Sequence, residues 1–149
     1  MRIRLVLIFF VALTMSCAVT AGNYKGLQIS QVHARATAPG QSSAAVYLTI
    51  KNTGTSADEL VAVKSPAATT ASLHSMAMNG SVMQMREVDR IVVAPASTAS
   101  MVAGTGYHVM LSGLRKPLVA GQKIALVLTF KNSGVVKTNV MIDGLTSTR

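Results

Sequence analysis

The sequence has a single cysteine, no tryptophan and only five acidic residues in 149. One cysteine cannot form a disulfide within the chain, so the stability of the fold depends on its hydrophobic core. The scarcity of carboxylates argues against a paired-carboxylate enzyme, and no serine–histidine–aspartate arrangement is evident. Aromatic residues are 4% of the chain, which, without a clustered basic run, argues against nucleic-acid binding. The composition therefore favours a non-enzymatic protein.

The first 21 residues have the pattern of a signal peptide. Arg2 and Arg4 precede an apolar run over residues 5–13, which is too short to span a bilayer comfortably. Small residues follow, and Val19-Thr20-Ala21 fits a signal-peptidase site. The pattern predicts a protein that is exported to the periplasm and keeps no membrane span after cleavage.

Cys17 raises an alternative, a lipoprotein acylated at that residue. Residues 14–16 match a lipobox poorly, so cleavage after Ala21 is favoured. The remaining 22–149 predict one domain with one core. Subtracting Arg2 and Arg4 from the 14 basic residues leaves 12 against 5 acidic ones, a net charge of +7. That charge either keeps an exported domain soluble or steers it toward an acidic partner.

Short segments rich in valine, isoleucine and threonine alternate with turn signals along the rest of the chain, without sustained helical periodicity. Eight or nine short, mostly antiparallel strands at this spacing predict an all-β protein, either a sandwich or a closed Greek-key barrel. The predicted strands are Leu27–Ala34, Ala44–Lys51, Glu59–Val63, Ser72–Met78, Val82–Val88, Thr98–Val102, Tyr107–Gly113, Lys123–Phe130 and Val135–Ile142.

Four of the nine methionines fall within ten residues, at Met76, Met78, Met83 and Met85. Asn79-Gly80 between them is a strong signal for a type I′ hairpin with a two-residue turn. That turn would set Met76 opposite Met83 and His74 opposite Met85, with these four side chains on one face. Because opposed Cβ atoms lie about 5 Å apart, an imidazole and a thioether could share a metal ion there.

A second histidine–methionine pair occurs at His108 and Met110. The two residues share a strand face and are about 6.6 Å apart along the strand. Docking this strand beside the hairpin would give a site of His74, Met85, His108 and Met110. Thioether sulfur is soft and selects Cu(I), and imidazole also binds copper well. The spacing thus makes copper binding a candidate function.

The alternative is that these side chains have ordinary structural roles. A methionine in a strand is more often core packing than a ligand, and on that basis Met101 and Met141 are assigned to the core. A lone histidine such as His33 is usually a surface residue. Spacing alone leaves both interpretations of the methionine cluster open.

The sequence resembles the periplasmic copper chaperone family of the PCuAC type over about residues 27–142. The resemblance rests on a histidine, a methionine after a ten-residue gap, and a distant His-x-Met. The segments that carry it are Arg35-Ala36-Thr37-Ala38-Pro39-Gly40, Ala45-Val46-Tyr47-Leu48-Thr49-Ile50, Leu73-His74-Ser75-Met76, Val82-Met83-Gln84-Met85-Arg86 and Gly106-Tyr107-His108-Val109-Met110-Leu111.

The resemblance implies a cupredoxin-like barrel with an exposed Cu(I) site that delivers copper to the dinuclear centre of a respiratory oxidase. The implied ligands are His74, Met85, His108 and Met110, and we expect Met76 and Met83 to be secondary sulfurs. The acceptor would be an oxidase subunit or another copper chaperone, and the protein a monomer or a metal-bridged dimer. His33 stands where many members have tryptophan, so it would be either an extra weak ligand or a surface residue, and the surface role is favoured. Some members carry a histidine- and methionine-rich tail that is thought to hold Cu(II); the sequence shows none, so a Cu(II) site is not expected.

Three other functions compete with copper delivery. A blue-copper redox protein needs a cysteine thiolate on the metal, and none follows residue 21. Storage or detoxification of copper would use the same site. A non-metal interaction domain would use the methionines as a docking face, and it predicts copper binding that is indifferent to loss of His108 or Met110.

Overall fold

The computed structural model describes residues 22–104 and 106–146, so the predicted signal peptide with Cys17 lies outside the described residues. Within these ranges no helix could span a membrane. The chain forms eleven strands: β1 (Gly22–Tyr24), β2 (Leu27–Arg35), β3 (Ser43–Asn52), β4 (Asp58–Lys64), β5 (Ala68–Asn79), β6 (Val82–Glu87), β7 (Ile91–Val93), β8 (Thr98–Ser100), β9 (Gly106–Leu114), β10 (Lys123–Phe130) and β11 (Gly134–Asp143).

The prediction of an all-β fold is confirmed, and each of the nine predicted strands corresponds to an observed one. The count of eight or nine is too low because β1 and β7, of three residues each, were not predicted. Segments this short hold too few residues to display an alternation of apolar and polar side chains. They are recognised only once β2 and β4 provide their pairing partners.

The strands are joined in the order β6-β5-β9-β3-β2-β11-β10-β4-β7, with β1 on β2 and β8 on β3. All pairs are antiparallel except β11 with β2, which is parallel. Among the described residues the path does not close, since β6 and β7 are its two ends. Buried side chains from both halves of the path nevertheless form one core cluster, among them Val109, Leu111, Leu126, Leu128 and Phe130.

Alternation along three neighbouring strands fixes which side chains face this core. Val46 on β3, Val109 on β9 and Leu73 on β5 are buried among core residues. Since successive side chains point to opposite faces, Tyr47, His108 and His74 project from the other face of the same strands. This outer face carries the histidines and methionines singled out in the sequence.

A buried carboxylate ties the start of β4 to the β10–β11 turn. Asp58 is 4% exposed. Its Oδ1 accepts hydrogen bonds from the backbone N–H groups of Glu59 at 2.8 Å and Asn132 at 2.9 Å, and Oδ2 accepts one from Ser133 at 2.9 Å. Burial alone would raise the pKa of Asp58, but the hydrogen bonds from Ser133, Asn132 and Glu59 hold it below its usual 3.8.

Candidate metal centre

A row of rings crosses four adjacent strands on the outer face. His33 on β2 is paired with Tyr47 on β3, and His74 on β5 with His108 on β9. Ring centroids are 5.6 Å apart for His33 and Tyr47, 6.3 Å for Tyr47 and His108, and 5.5 Å for His108 and His74. The row brings the two predicted histidine ligands side by side at its end nearest the hairpin.

A bulge in β2 places His33 in this row. The register with β3 shifts between Ser30 and His33, and Gln31 has a positive φ of 52°. An inserted residue reverses which side chains face inward, so that Ile29 before the bulge and Ala34 after it are both in the core. His33 therefore lies outside, half-buried, with Nδ1 2.8 Å from the carbonyl oxygen of Gln31.

His108 is buried, although the resemblance implied an exposed site. Its side chain is 1% exposed, and neither Nδ1 nor Nε2 has a hydrogen-bond partner. The Nδ1 atom of the neighbouring His74 is also buried and unpartnered. Because buried polar atoms in native proteins are nearly always hydrogen-bonded, three such nitrogens in adjacent rings need an explanation. A metal ion bound by one nitrogen of each ring would satisfy two of them.

The protonation state of His108 and the hydrogen bond of His74 suit metal binding. Burial lowers the pKa of His108 below 6.5, and the neighbouring His74 lowers it further. His108 is therefore held in the neutral form that a metal requires. The Nε2 atom of His74 lies 2.9 Å from the Ser72 hydroxyl. When Nε2–H donates that bond, the unpartnered Nδ1 carries the lone pair that faces the ligand.

Met110 lies beside the histidine pair on the side away from the hairpin tip. It is two residues from His108 on β9, half-buried, and paired with Ser72 on one side and Ala45 on the other. Its neighbour Ser72 is the residue that contacts His74. Because β9 is paired with β5 without a register shift through these residues, Met110 and His108 share one strand face.

The register of the β5–β6 hairpin differs from the prediction. Met76 is paired with Met85, Met78 with Met83, and His74 with Glu87. The predicted pairs Met76–Met83 and His74–Met85 are wrong, although the shift of two positions leaves the same side chains on the shared face.

The turn explains the shift. Gly80 and Ser81 form the two-residue loop, with Asn79 and Val82 paired across it. Gly80 has a φ of +62°, and Ser81 is not among the residues with positive φ. Positive φ at the first central residue alone is the pattern of a type II′ turn, whereas type I′ needs it at both. The glycine takes the first central position, and Asn79 stays in the strand.

Met85 is consequently opposite Met76 and not opposite His74, which places it one pair nearer the hairpin tip along β5 than predicted. It lies on the edge strand β6 beside Met76, diagonal to His74. On the other side of Met76, the opposing residue of β9 is Gly106, which has no side chain, and an added Cβ there would meet nothing within 4 Å. The histidine pair thus has Met110 on one side and the Met76–Met85 pair on the other.

Met101 and Met141 were both predicted to lie in the core, and the structure agrees for only one of them. Met101 is 2% exposed and belongs to the core, as predicted. Met141 is 39% exposed, so its assignment to the core is wrong. On β11 it is paired with His33 of β2, which lies on the outer face. Alternation in β11 distinguishes the two faces but does not reveal which of them is covered.

Methionine sulfur is the soft donor that lies nearest the histidine pair on the outer face. In the described ranges, no group of three or more His, Cys, Asp and Glu side chains could hold a metal ion. Met76 and Met110 lie on the same outer face as His74 and His108, on the same two strands. A site with soft, neutral sulfur and imidazole suits Cu(I) rather than a hard divalent cation.

Comparisons with known proteins agree with this fold. The family model "Putative lipoprotein LpqE-like" matches residues 27–142. "Putative lipoprotein Lxx21020" of Leifsonia xyli subsp. xyli is 34% identical over 107 residues, 72% of this chain; the chain spans 63% of that relative's length. The apo PCuAC domain from PmoF1 superposes with a TM-score of 0.72 at 28% identity, covering 83% of this chain and 98% of that domain. The copper-bound PCuAC domain from PmoF2 gives 0.71 at 25%, covering 81% and 95%.

Proposed function

Because this chain belongs to the LpqE-like family and has the fold of PCuAC domains, we propose that it is an exported copper chaperone that binds one Cu(I) ion and transfers it to a partner protein. The copper-bound domain from PmoF2 supports copper as the metal. The predicted resemblance to PCuAC proteins and the cupredoxin-like fold are confirmed by these matches.

The observation that carries the proposal is the adjacent His74 and His108 rings, which contain three buried nitrogens without hydrogen-bond partners. We assign His74 and His108 as the imidazole ligands, and Met110 and Met85 as the sulfur ligands from either side. Met76 lies beside Met85 and serves as a secondary sulfur. Met83, the other predicted secondary ligand, is one pair further from His74, and the primary site does not need it.

The ligand chemistry favours transfer over permanent retention. Thioethers and neutral imidazoles carry no charge, so they hold Cu(I) without the thiolate that makes many copper sites tight and vulnerable to oxidation. The proposed acceptor is the dinuclear copper centre of a respiratory oxidase or another copper chaperone. A storage protein would retain the ion when such an apo acceptor is added, so mixing the Cu(I)-loaded protein with an apo dinuclear-copper domain separates the two functions.

Cu(I) titration against a chromophoric chelator under anaerobic conditions tests the ligand set. We expect one tightly bound Cu(I) in the wild-type protein. The Met85→Ala/Met110→Ala variant should bind Cu(I) more weakly. The loss of affinity should exceed the roughly 10–100-fold that follows when only a side chain hydrogen-bonded to a ligand is removed.

Met141→Ala is the matched control, since Met141 is an exposed methionine of another strand, and its affinity should equal that of the wild type. Unchanged affinity in the double variant would refute the site. Far-UV circular dichroism verifies that both variants are folded.

A further inference from the structure

The methionines at the tip of the β5–β6 hairpin have no packing role. Met78 is 56% exposed, Met83 50% and Met85 48%. Strand β6 contains no buried side chain at all in its six residues. The usual reason for methionine in a strand is to fill gaps in a core, and Met101, 2% exposed, illustrates it here. That reason does not apply to Met78 and Met83.

The observed register sets these sulfurs in two successive pairs. Met78 is directly opposite Met83, and Met76 is directly opposite Met85. Opposed Cβ atoms lie about 4.5–5.5 Å apart, and the two pairs are about 6.8 Å apart along the strands. Four thioethers therefore occupy one continuous face of the hairpin, and the long, unbranched side chain of methionine lets them converge.

The charges around these pairs are compatible with a bound cation. On the hairpin face that the methionines share, the next pair is His74–Glu87, so the nearest charged side chain along that face is a carboxylate. Arg86, next to Met85 in sequence, projects from the opposite face by strand alternation. There its Nη2 donates a hydrogen bond to Oε1 of Gln84 at 3.4 Å. Neutral sulfurs without a neighbouring positive charge can accept a monovalent ion.

We infer that Met78 and Met83 form a second soft-cation site at the hairpin tip, closed by a sulfur of the Met76–Met85 pair and distinct from the histidine pair. Its ligand is Cu(I) or Ag(I), which has the same d10 valence configuration, because all-thioether coordination selects soft monovalent ions over hard cations. The site contains no histidine. An ion held there is next to Met85, which connects the two sites.

Silver titration of the full protein with ¹³C-methyl-labelled methionine tests the inference, since Ag(I) is not oxidised in air. In chloride-free buffer we expect two Ag(I) ions per wild-type molecule. The methyl signals of Met78 and Met83 should shift with one of them, and that of the buried Met101 with neither. Met78→Leu/Met83→Leu keeps the side-chain volume and removes the sulfurs, so it should bind one ion, with the remaining site weakened less than twofold.

Two variants separate this inference from the proposed function. His108→Leu should lose the tight ion while the signals of Met78 and Met83 still respond to Ag(I). Met141→Leu removes an exposed sulfur outside the hairpin and should leave two ions bound. A wild-type stoichiometry of one, or a second ion retained by Met78→Leu/Met83→Leu, would overturn the hairpin site and leave the histidine site standing.

Discussion

At the scale of single residues, His108 carries a conflict between stability and function. A buried imidazole with no hydrogen-bond partner loses its interactions with water and receives nothing in return in the metal-free protein. Its two ring neighbours, Tyr47 and His74, provide only the modest attraction of tilted aromatic pairs. A histidine at this buried position is understandable if one of its nitrogens binds a ligand.

Replacing His108 with leucine should therefore abolish tight Cu(I) binding without destabilising the apo protein. We expect the free energy of unfolding to be unchanged or about 1 kcal/mol higher, since an apolar side chain leaves no buried nitrogen unpaired. Denaturant unfolding measures it. Leu111→Ala, which creates a cavity in the core two strand positions beyond Val109, should by contrast cost about 2–5 kcal/mol. A comparable decrease in the free energy of unfolding of His108→Leu would show that the imidazole ring has a structural role.

Ser72 is the residue that orients His74. Its hydroxyl is 2.9 Å from Nε2, and partners of this kind typically contribute 10–100-fold to metal affinity by fixing the tautomer and the ring orientation. Ser72→Ala should weaken Cu(I) binding by about tenfold, measured by chelator competition. Ser72→Thr keeps the hydroxyl and should restore most of the affinity; equal affinities in all three proteins would exclude the orienting role.

At the scale of strands and turns, much of the fold could be predicted from the sequence. Alternation located β2 to β6 and β8 to β11, and it placed His74, His108 and Met110 on one face. The hairpin register could not be predicted, because Asn79-Gly80-Ser81 contains two dipeptides that favour two-residue turns. Burial of His108 and exposure of Met141 were also missed, since alternation does not reveal what covers each face.

At the same scale, the Asp58 carboxylate should make the stability of the folded protein depend on pH. Its pKa is lower in the folded protein than the ordinary 3.8, so the unfolded state binds its proton first as the pH falls. The stabilisation is complete above about pH 4 and is lost as the pH falls through the folded-state value. Thermal unfolding between pH 7 and pH 2.5 should show this loss in the wild type.

Asp58→Asn cannot supply two anionic oxygens to the β10–β11 turn. It should be less stable at pH 7 by about 1–3 kcal/mol and should have a flatter dependence on pH below 4. Asp89→Asn changes an exposed carboxylate and should follow the wild-type curve. Parallel curves for Asp58→Asn and the wild type would show that the turn does not depend on the charge.

At the scale of the whole molecule, one hydrophobic core supports the outer face that carries the proposed ligands. The core draws on both halves of the open sheet, while β6 at one end of the path contributes no buried residue. The proposed copper ligands thus lie both on β5 and β9, whose other face is packed in the core, and on β6, which has no buried side chain. The formal net charge of +7 predicted for residues 22–149 would favour an acidic acceptor.

The form in which the protein is exported is open to a direct test. We predict cleavage after Ala21, which would start the mature chain at Gly22, the first residue of β1. Intact-mass analysis of the exported protein should then give the mass of residues 22–149. A diacylated chain beginning at Cys17 would instead establish the lipoprotein form that the names of its relatives suggest.

The absence of buried side chains in β6 has a kinetic consequence. An outermost strand held chiefly by its ladder to β5 detaches at a small fraction of the free energy that global unfolding requires. Fraying of β6 would swing Met85 away from the imidazoles while β9 keeps His108 in place. The residence time of a bound ion would then follow the opening rate of this one strand, and amide hydrogen exchange in β6 should be much faster than in β9.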